Sequence, residues 1–219
     1  MKFKKIVAFG DSFVQGQIKL PHVISQEEMK RINFVTKLGE YFNIPVENYG
    51  LRGFGQNAIA FDVIQFFRNN NFDKEVLLLV GWSGYSRALS FSPEHNRYKD
   101  WSRQNLSSED DFAYINNINI RGIHSLLTDN KQPFLMLSSF LNMFDVQEIN
   151  LNGIESNWIE ETLFEMCTGE RKSIPDFRIN HDNKNFYSST HPNLSECMHP
   201  SEEGHKVIAN KLANYIKEL

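Results

Sequence analysis

The chain has 219 residues, of which 41% are hydrophobic and 23% are charged, and its formal net charge is -4. This length and composition are typical of one sizeable globular domain and exclude a disordered or fibrous chain. The mildly negative charge gives no reason to expect nucleic acid or an anionic membrane as a partner.

The N-terminal lysines are followed by a short apolar run that ends at Asp11. This run is too short for a secretory signal peptide, and no stretch of the sequence is long enough for a membrane span. The two cysteines, Cys167 and Cys197, form neither a disulfide framework nor a zinc-binding spacing. We therefore expect a cytoplasmic protein with two free thiols and no integral membrane association.

Apolar runs of strand length alternate with segments of helical spacing. Strands are predicted at 3–9, 45–49, 75–80 and 133–139, and helices at 25–42, 58–67, 112–127, 158–166 and after Ser201. This alternation predicts an α/β fold with three layers (α/β/α) around a mostly parallel, doubly wound sheet. Two polar and aromatic stretches, about 83–111 and 167–198, are predicted to be irregular loops within a single domain of residues 1–219.

A Gly-Asp-Ser sequence follows the first strand and ends at Ser12. A lone serine there is more often an ordinary turn residue than a nucleophile. However, His199 precedes the last helix, and in a doubly wound sheet both positions lie at the carboxyl edge of the strands. Glu196, three residues before His199, can fold back to the imidazole and hold its tautomer. The pattern therefore predicts a serine triad.

Two glycine-containing loops, residues 48–57 and 81–87, are predicted at the same edge of the sheet. Glycine allows a backbone amide to approach a substrate closely, and acyl transfer needs donors directed at the developing oxyanion. The amides of Ser12 and Gly53, together with a side chain from the third-strand loop, can supply those donors.

These blocks resemble the SGNH (GDSL-type) hydrolase superfamily, and they occur in the family's order. Gly-Asp-Ser at 10–12 is similar to the nucleophile block, and residues 48–53 are similar to the glycine block. Gly81-Trp-Ser83 lies where the family has Gly-x-Asn. Glu196-Cys-Met-His199 lies where it has Asp-x-x-His, followed by Pro-Ser and Gly-His at 200–205. The resemblance extends from residue 5 to about residue 215, but identity is confined to these blocks.

The resemblance implies a flavodoxin-like fold in which Ser12 is the nucleophile, His199 the base and Glu196 the group that orients it. It places Ser12, Gly53 and Ser83 in the oxyanion hole. Ser83 departs from the family asparagine and Glu196 from the family aspartate. The third donor is therefore either the Ser83 hydroxyl or the backbone amide of Gly84.

The implied activity is serine ester hydrolysis, with removal of a small acyl group from a polar alcohol such as a carbohydrate. Lysophospholipase or thioesterase activity is the first alternative, and a non-catalytic module with the same fold is the second. The expected partner is a small-molecule ester, and no metal or organic cofactor is implied. Candidate substrate contacts are made by Asp11, Trp82, Tyr85 and Arg87.

Several of these residues, and others nearby, have a structural interpretation as well. Trp82 is either a core residue or a stacking wall for the substrate, and Arg87 either pairs with an acid or fixes a substrate loop. His205 is expected to be a packed helix histidine. His191 also precedes a proline but lacks a carboxylate three residues earlier, and Cys197 is expected to be a turn residue.

Overall fold

The structure is a computed structural model that describes residues 2–16, 26–84, 89–92, 97–100, 109–139, 149–170, 191–195 and 199–219. In these segments the strands are β1 (Lys5–Gly10), β2 (Val46–Gly50), β3 (Val76–Trp82), β4 (Leu89–Ser92), β5 (Arg97–Asp100) and β6 (Phe134–Ser138). The helices are α1 (Ser12–Gln15), α2 (Gln26–Ile32), α3 (Phe34–Phe42), α4 (Gln56–Asn69), α5 (Glu109–Asp129), α6 (Leu163–Thr168) and α7 (Glu202–Glu218), with a 3₁₀ turn at Glu155–Asn157.

Four strands form a parallel sheet in the order β2-β1-β3-β6. Side chains alternate between the two faces of a strand, and both faces of β1 are apolar. Val7 and Phe9 belong to a core shared with α4 and α5, whereas Ile6 and Ala8 belong to a second core shared with α3, α6 and α7. Helices cover both faces of the sheet, which confirms the predicted three-layer α/β/α architecture.

The helix predicted over residues 25–42 is interrupted at Asn33. The Asn33 side chain donates to the carbonyl oxygens of Met29 (3.2 Å) and Lys30 (2.8 Å) and accepts from the Thr36 amide (2.9 Å). It therefore ends α2 and caps α3 at once. Asparagine favours such breaks because its side chain competes with the backbone for hydrogen bonds. The apolar spacing alone did not reveal the break.

Part of the stretch at 83–111, which was predicted to be irregular, is regular structure, and residues 85–88, 93–96 and 101–108 lie outside the described residues. Leu89–Ser92 and Arg97–Asp100 pair as an antiparallel two-stranded sheet, and α5 already begins at Glu109. In the second stretch, 167–198, residues Cys167 and Thr168 belong to α6, and 171–190 and 196–198 lie outside the described residues.

The helix predicted at 158–166 is also displaced. Trp158 forms an isolated bridge beside Met136 at the edge of the sheet, and the helix begins only at Leu163. A capping box fixes that start, since Thr162 Oγ1 accepts from the Glu165 amide and Glu165 Oε2 accepts from the Thr162 amide. The last helix begins where predicted, with Ser201 as its cap.

Within the described segments, no helix combines the length and the apolar character that crossing a membrane requires.

Candidate active site

Ser12 is the first residue of α1, directly after β1, and it is almost completely buried. Asp11 caps this short helix, since its Oδ1 atom accepts from the Phe13 amide at 2.9 Å. The same oxygen accepts from the Ser139 hydroxyl at 2.8 Å. Asp11 is only 3% exposed. The cap and the burial commit this carboxylate to the turn that presents Ser12, and its contact with substrate stays a prediction.

The turn at Ser12 rests on the ends of β2 and β3. A Cβ atom on Gly81 would collide with the Val14 side chain, and one on Gly50 would overlap the backbone of Gln15. Asn48, in β2, joins that strand to α1, since its Nδ2 donates to the Val14 carbonyl oxygen (2.7 Å) and its Oδ1 accepts from the Gly50 amide (2.8 Å). Gly50 and Gly81 therefore make room for α1 itself.

His199 lies against Ser12 although 187 positions separate them in the chain. Its Nε2 atom is 2.7 Å from Ser12 Oγ, which is an ordinary hydrogen-bond length. In the tautomer with its proton on Nδ1, the imidazole accepts the serine hydroxyl proton at Nε2. The ring also packs on Phe13, with 5.1 Å between ring centroids. The two residues singled out from the sequence are thus in direct contact.

Contacts with residues 193–195 hold His199 in place. The His199 carbonyl oxygen accepts from both the amide (2.8 Å) and the hydroxyl (2.9 Å) of Ser195. Leu194 and Pro200 pair as an isolated antiparallel bridge. The Ser201 amide donates to the Asn193 carbonyl oxygen at 2.8 Å, which joins residues 193–195 to the start of α7.

Helix α6 also holds the segment 193–195 in place. Asn193 Nδ2 donates to the Cys167 carbonyl oxygen (2.7 Å), and the Cys167 thiol donates to the Asn193 carbonyl oxygen (3.0 Å). Burial raises the pKa of this thiol to about 12, so it remains a donor. A Cβ atom on Gly204 would overlap the Asn193 carbonyl oxygen and would lie 2.6 Å from the Cys167 sulfur. A larger residue at 204 must therefore displace the segment that carries His199.

His205 is a packed helix histidine, as the sequence predicts. It is fully buried and stacks on Phe34 with 6.1 Å between ring centroids. Burial, with smaller contributions from His199 and Lys37, lowers the pKa of His205 to about 3. The ring is therefore neutral at physiological pH.

The two loops expected to supply oxyanion donors are Gly53 with its neighbours and the residues after β3. Gly53 has a φ of 79°, which favours glycine, and among the described residues other than its chain neighbours no atom lies within 4 Å of the position a Cβ would take. Ser83 is buried, and among the described residues its hydroxyl has no hydrogen-bond partner. Its backbone is bound on both sides by the side chain of Gln56.

Of the other predicted substrate contacts, Trp82 alone lies among the described residues. Trp82 is fully buried in the core shared with α4 and α5, so its interpretation as a core residue is the one that fits. Tyr85, Arg87, Glu196 and Cys197 lie outside the described residues. His191 Nδ1 accepts from the Asn193 amide at 3.2 Å within a local turn. Among the described residues, no three His, Cys, Asp or Glu side chains are grouped as metal ligands.

Three polar residues that hold this region together, the buried Ser139 and Gln56 and the half-buried Asn48, were not predicted to do so from the sequence. Ser139 binds Asp11, Asn48 binds the backbone of α1, and Gln56 binds the backbone of Ser83. Ser139 follows β6 at the carboxyl edge of the sheet, and this position was a signal available from the sequence. Gln56 at the start of a helix carries no comparable signal.

None of the protein-family models compared with the sequence matches it, and no curated protein matches it significantly. Solved structures do match. A member of the lipolytic protein G-D-S-L family from Veillonella parvula is 13% identical, with a TM-score of 0.55 over 98% of this chain and 99% of that chain. A putative lipolytic protein of the G-D-S-L family from Desulfitobacterium hafniense is 15% identical, with a TM-score of 0.54 over 96% and 98%.

An acetyl xylan esterase from the rumen bacterium Butyrivibrio proteoclasticus is 11% identical, with a TM-score of 0.57. The match covers 98% of this chain and 63% of the esterase. At such low identity these likenesses concern the fold. The chain has the fold of the SGNH (GDSL-type) hydrolase superfamily, as the motifs at residues 10–12 and 196–205 predict.

Proposed function

We propose that the chain is a serine ester hydrolase that removes a small acyl group from a polar alcohol such as a carbohydrate. The observation that carries this proposal is the 2.7 Å contact between Ser12 Oγ and His199 Nε2. A nucleophile and a base within hydrogen-bond reach of each other are the defining pair of this chemistry. Ser12 is buried and His199 is half-buried, and the hydrogen bonds of the residues around them hold that geometry.

In the proposed reaction, Ser12 Oγ attacks the ester carbonyl while His199 Nε2 takes the hydroxyl proton. The tetrahedral intermediate then collapses, and His199 returns the proton to the departing alcohol. His199 next activates a water molecule that hydrolyses the acyl-enzyme. Glu196 is assigned the role of orienting His199 by accepting from Nδ1, on the basis of its position three residues earlier in the chain.

The developing oxyanion requires donors, and we assign them to the amides of Ser12 and Gly53 and to the Ser83 hydroxyl. The positive φ and open surroundings of Gly53 support a backbone amide that a substrate can approach. For Ser83, the support is a buried hydroxyl that has no partner among the described residues. A buried donor without a partner is costly, and a role in the reaction would explain why it is retained.

Replacing Ser83→Ala is expected to lower kcat about 10-fold with little change in KM. Loss of a well-placed oxyanion donor typically costs about 10²–10³-fold, and a serine has a shorter reach than the family asparagine. An effect on kcat alone is the signature of an interaction made mainly in the transition state. Steady-state kinetics on p-nitrophenyl acetate measure both constants.

Ser138→Ala is the matched control for this variant. Ser138 lies at the end of the neighbouring strand β6, and its buried hydroxyl also has no partner among the described residues. Its removal is expected to leave kcat unchanged. Wild-type kcat in Ser83→Ala would show that the Ser83 hydroxyl is not an oxyanion donor, leaving the Gly84 amide as the alternative.

The acyl group is inferred to be small. The stretch at 83–111 is polar and aromatic rather than broadly apolar, and one structure with the same fold is an acetyl xylan esterase. Two others are described as lipolytic, which favours the lysophospholipase alternative as the competing function. These two functions differ in the length of acyl chain that the site accepts.

On p-nitrophenyl esters of increasing chain length, kcat/KM is expected to be highest for acetyl and propionyl and at least about 10-fold lower for octanoyl. Each methylene that an apolar pocket accommodates is worth about 0.8 kcal/mol, so a lipid-binding site would reverse this order. A steady rise in kcat/KM with chain length would contradict the proposed substrate class. Release of acetate from an acetylated xylo-oligosaccharide, compared with fatty acid from a lysophospholipid, tests the alcohol.

A further inference from the structure

Gln56 is a completely buried glutamine whose side-chain amide makes two opposed hydrogen bonds to one residue. Its Nε2 donates to the Ser83 carbonyl oxygen at 2.6 Å, and its Oε1 accepts from the Ser83 amide at 3.1 Å. From this pairing we infer that Gln56 is a positioning residue for the oxyanion hole, a claim that rests on the proposed esterase function.

The pairing fixes the backbone at the point where β3 ends. Ser83 directly follows Trp82, the last residue of β3, and is the residue assigned as third donor. With both of its backbone groups bound by one rigid amide plane, the peptide on either side of Ser83 cannot rotate freely. The direction of the Ser83 Cα–Cβ bond, and therefore the arc open to its hydroxyl, follows from that constraint.

The pairing also limits which groups of this loop can act as donors. The Ser83 amide already donates a hydrogen bond to Gln56 Oε1, so it is not available to an oxyanion. Among the described residues that follow β3, the other two donors are the Ser83 hydroxyl and the Gly84 amide. Both depend on the position of the Ser83 backbone, so Gln56 controls the geometry whichever of them acts.

Gln56 connects this loop to the other proposed oxyanion loop. It is the first residue of α4 and lies three residues after Gly53. Between them, the Phe54 amide donates to the Leu51 carbonyl oxygen (3.3 Å), and the Gly55 carbonyl oxygen accepts from the Ala58 amide (3.1 Å). One side chain therefore sets the separation of two loops that must place donors about 2.7–3.1 Å from the same oxygen.

The chain contains a matched control at the opposite edge of the sheet. Gln132 is also buried, and its Oε1 accepts from the Asp73 amide (2.9 Å) while its Nε2 donates to the carbonyl oxygens of Asp73 (3.0 Å) and Val76 (2.5 Å). Gln132 binds the backbone at the start of β3, whereas Gln56 binds the backbone just after its end. The two glutamines thus share a structural role, and only Gln56 adjoins the proposed site.

The first test compares Gln56→Met with Gln132→Met, since methionine retains the length of the side chain without its hydrogen bonds. Both variants are expected to lower the melting temperature because each leaves buried backbone groups unpaired. Gln56→Met should also lower kcat about 10- to 100-fold with KM changed less than about 3-fold, as for a small displacement of catalytic groups. Gln132→Met should retain the wild-type kcat when measured well below its melting temperature.

The second test uses pH as the readout, with Gln56→Glu. A protonated carboxyl donates one hydrogen bond and accepts another, so it reproduces both contacts with Ser83, whereas a carboxylate repels the Ser83 carbonyl oxygen. Burial raises the pKa of such a carboxyl. The ratio of variant to wild-type kcat should therefore rise as the pH is lowered from about 8 to about 5.5, since the ratio removes the titration common to both enzymes. The ratio for Gln132→Glu should stay flat.

Wild-type kcat in folded Gln56→Met, or a flat pH ratio for Gln56→Glu, would overturn the role of Gln56 while the proposed function stands. If Gln56→Met does not fold, the pH ratio for Gln56→Glu decides the question. Equal losses of kcat in the Gln56 and Gln132 variants would show that both residues act only through the stability of the fold, and would also overturn the inference. An absence of any Ser12-dependent turnover in the wild-type protein would instead refute the proposed function, and this inference with it.

Discussion

Ser12→Ala is expected to abolish ester hydrolysis, with a loss of kcat on the order of 10⁶-fold, as in other serine hydrolases deprived of the nucleophile. The physical reason is that no acyl-enzyme forms without Oγ, and His199 alone can only assist water. The side chain that remains is smaller and lies in a turn held by Asp11 and Ser139, so the fold should be retained. Turnover of p-nitrophenyl acetate and the melting temperature measure the two effects.

The control for this prediction is Ser156→Ala. Ser156 is an exposed serine in the 3₁₀ turn, and it is expected to retain full activity. Substantial turnover by Ser12→Ala, above the background of a mock purification, would assign the nucleophile to another residue.

His199→Gln is expected to cost about as much as the loss of Ser12, since the members of such a pair act as a unit. Glu196→Gln should cost less, on the order of 10⁴-fold, because an orienting group takes no part in bond making but still fixes the tautomer. The order of the three losses is the prediction, and kcat on a small ester measures it. A silent Glu196→Gln would mean that another acceptor orients the ring.

His191→Gln is the matched control for His199→Gln. Both histidines precede a proline, but the His191 ring binds the Asn193 amide in a local turn. Its replacement is expected to change kcat less than about 3-fold, which is the scale of a surface substitution. A loss comparable with that of His199→Gln would show that the wrong His-Pro pair has been assigned.

Strands β1, β3 and β6 were predictable because each is a short and nearly continuous apolar run, which is typical of a parallel strand covered on both faces. The helix boundaries were less accessible. Asn33 divides one apolar stripe into two helices, and the capping box at Thr162 delays α6 until after Trp158 has joined the sheet edge. Both changes in helix boundaries come from hydrogen bonds between side chains and the backbone, and apolar periodicity does not predict such bonds.

For the candidate site, the sequence was sufficient for Ser12 and His199, since the parallel topology brings the ends of β1 and the start of α7 to one edge. For Trp82 it left two interpretations open, and the residue lies in the core. Asp11 caps α1, a role that the position of a carboxylate beside the nucleophile did not indicate. The role of Gln56 could not be predicted from the sequence because only folding brings its partner, Ser83, next to it.

The account depends most directly on whether Ser12 is an activated nucleophile, and covalent labelling with a fluorophosphonate tests this without any assumption about the substrate. The wild-type protein is expected to be labelled on one peptide, the one that contains Ser12, as located by mass spectrometry. Labelling should be absent in Ser12→Ala and strongly slowed in His199→Gln. Undiminished labelling of Ser12→Ala, or no labelling of the folded wild-type protein, would contradict the account.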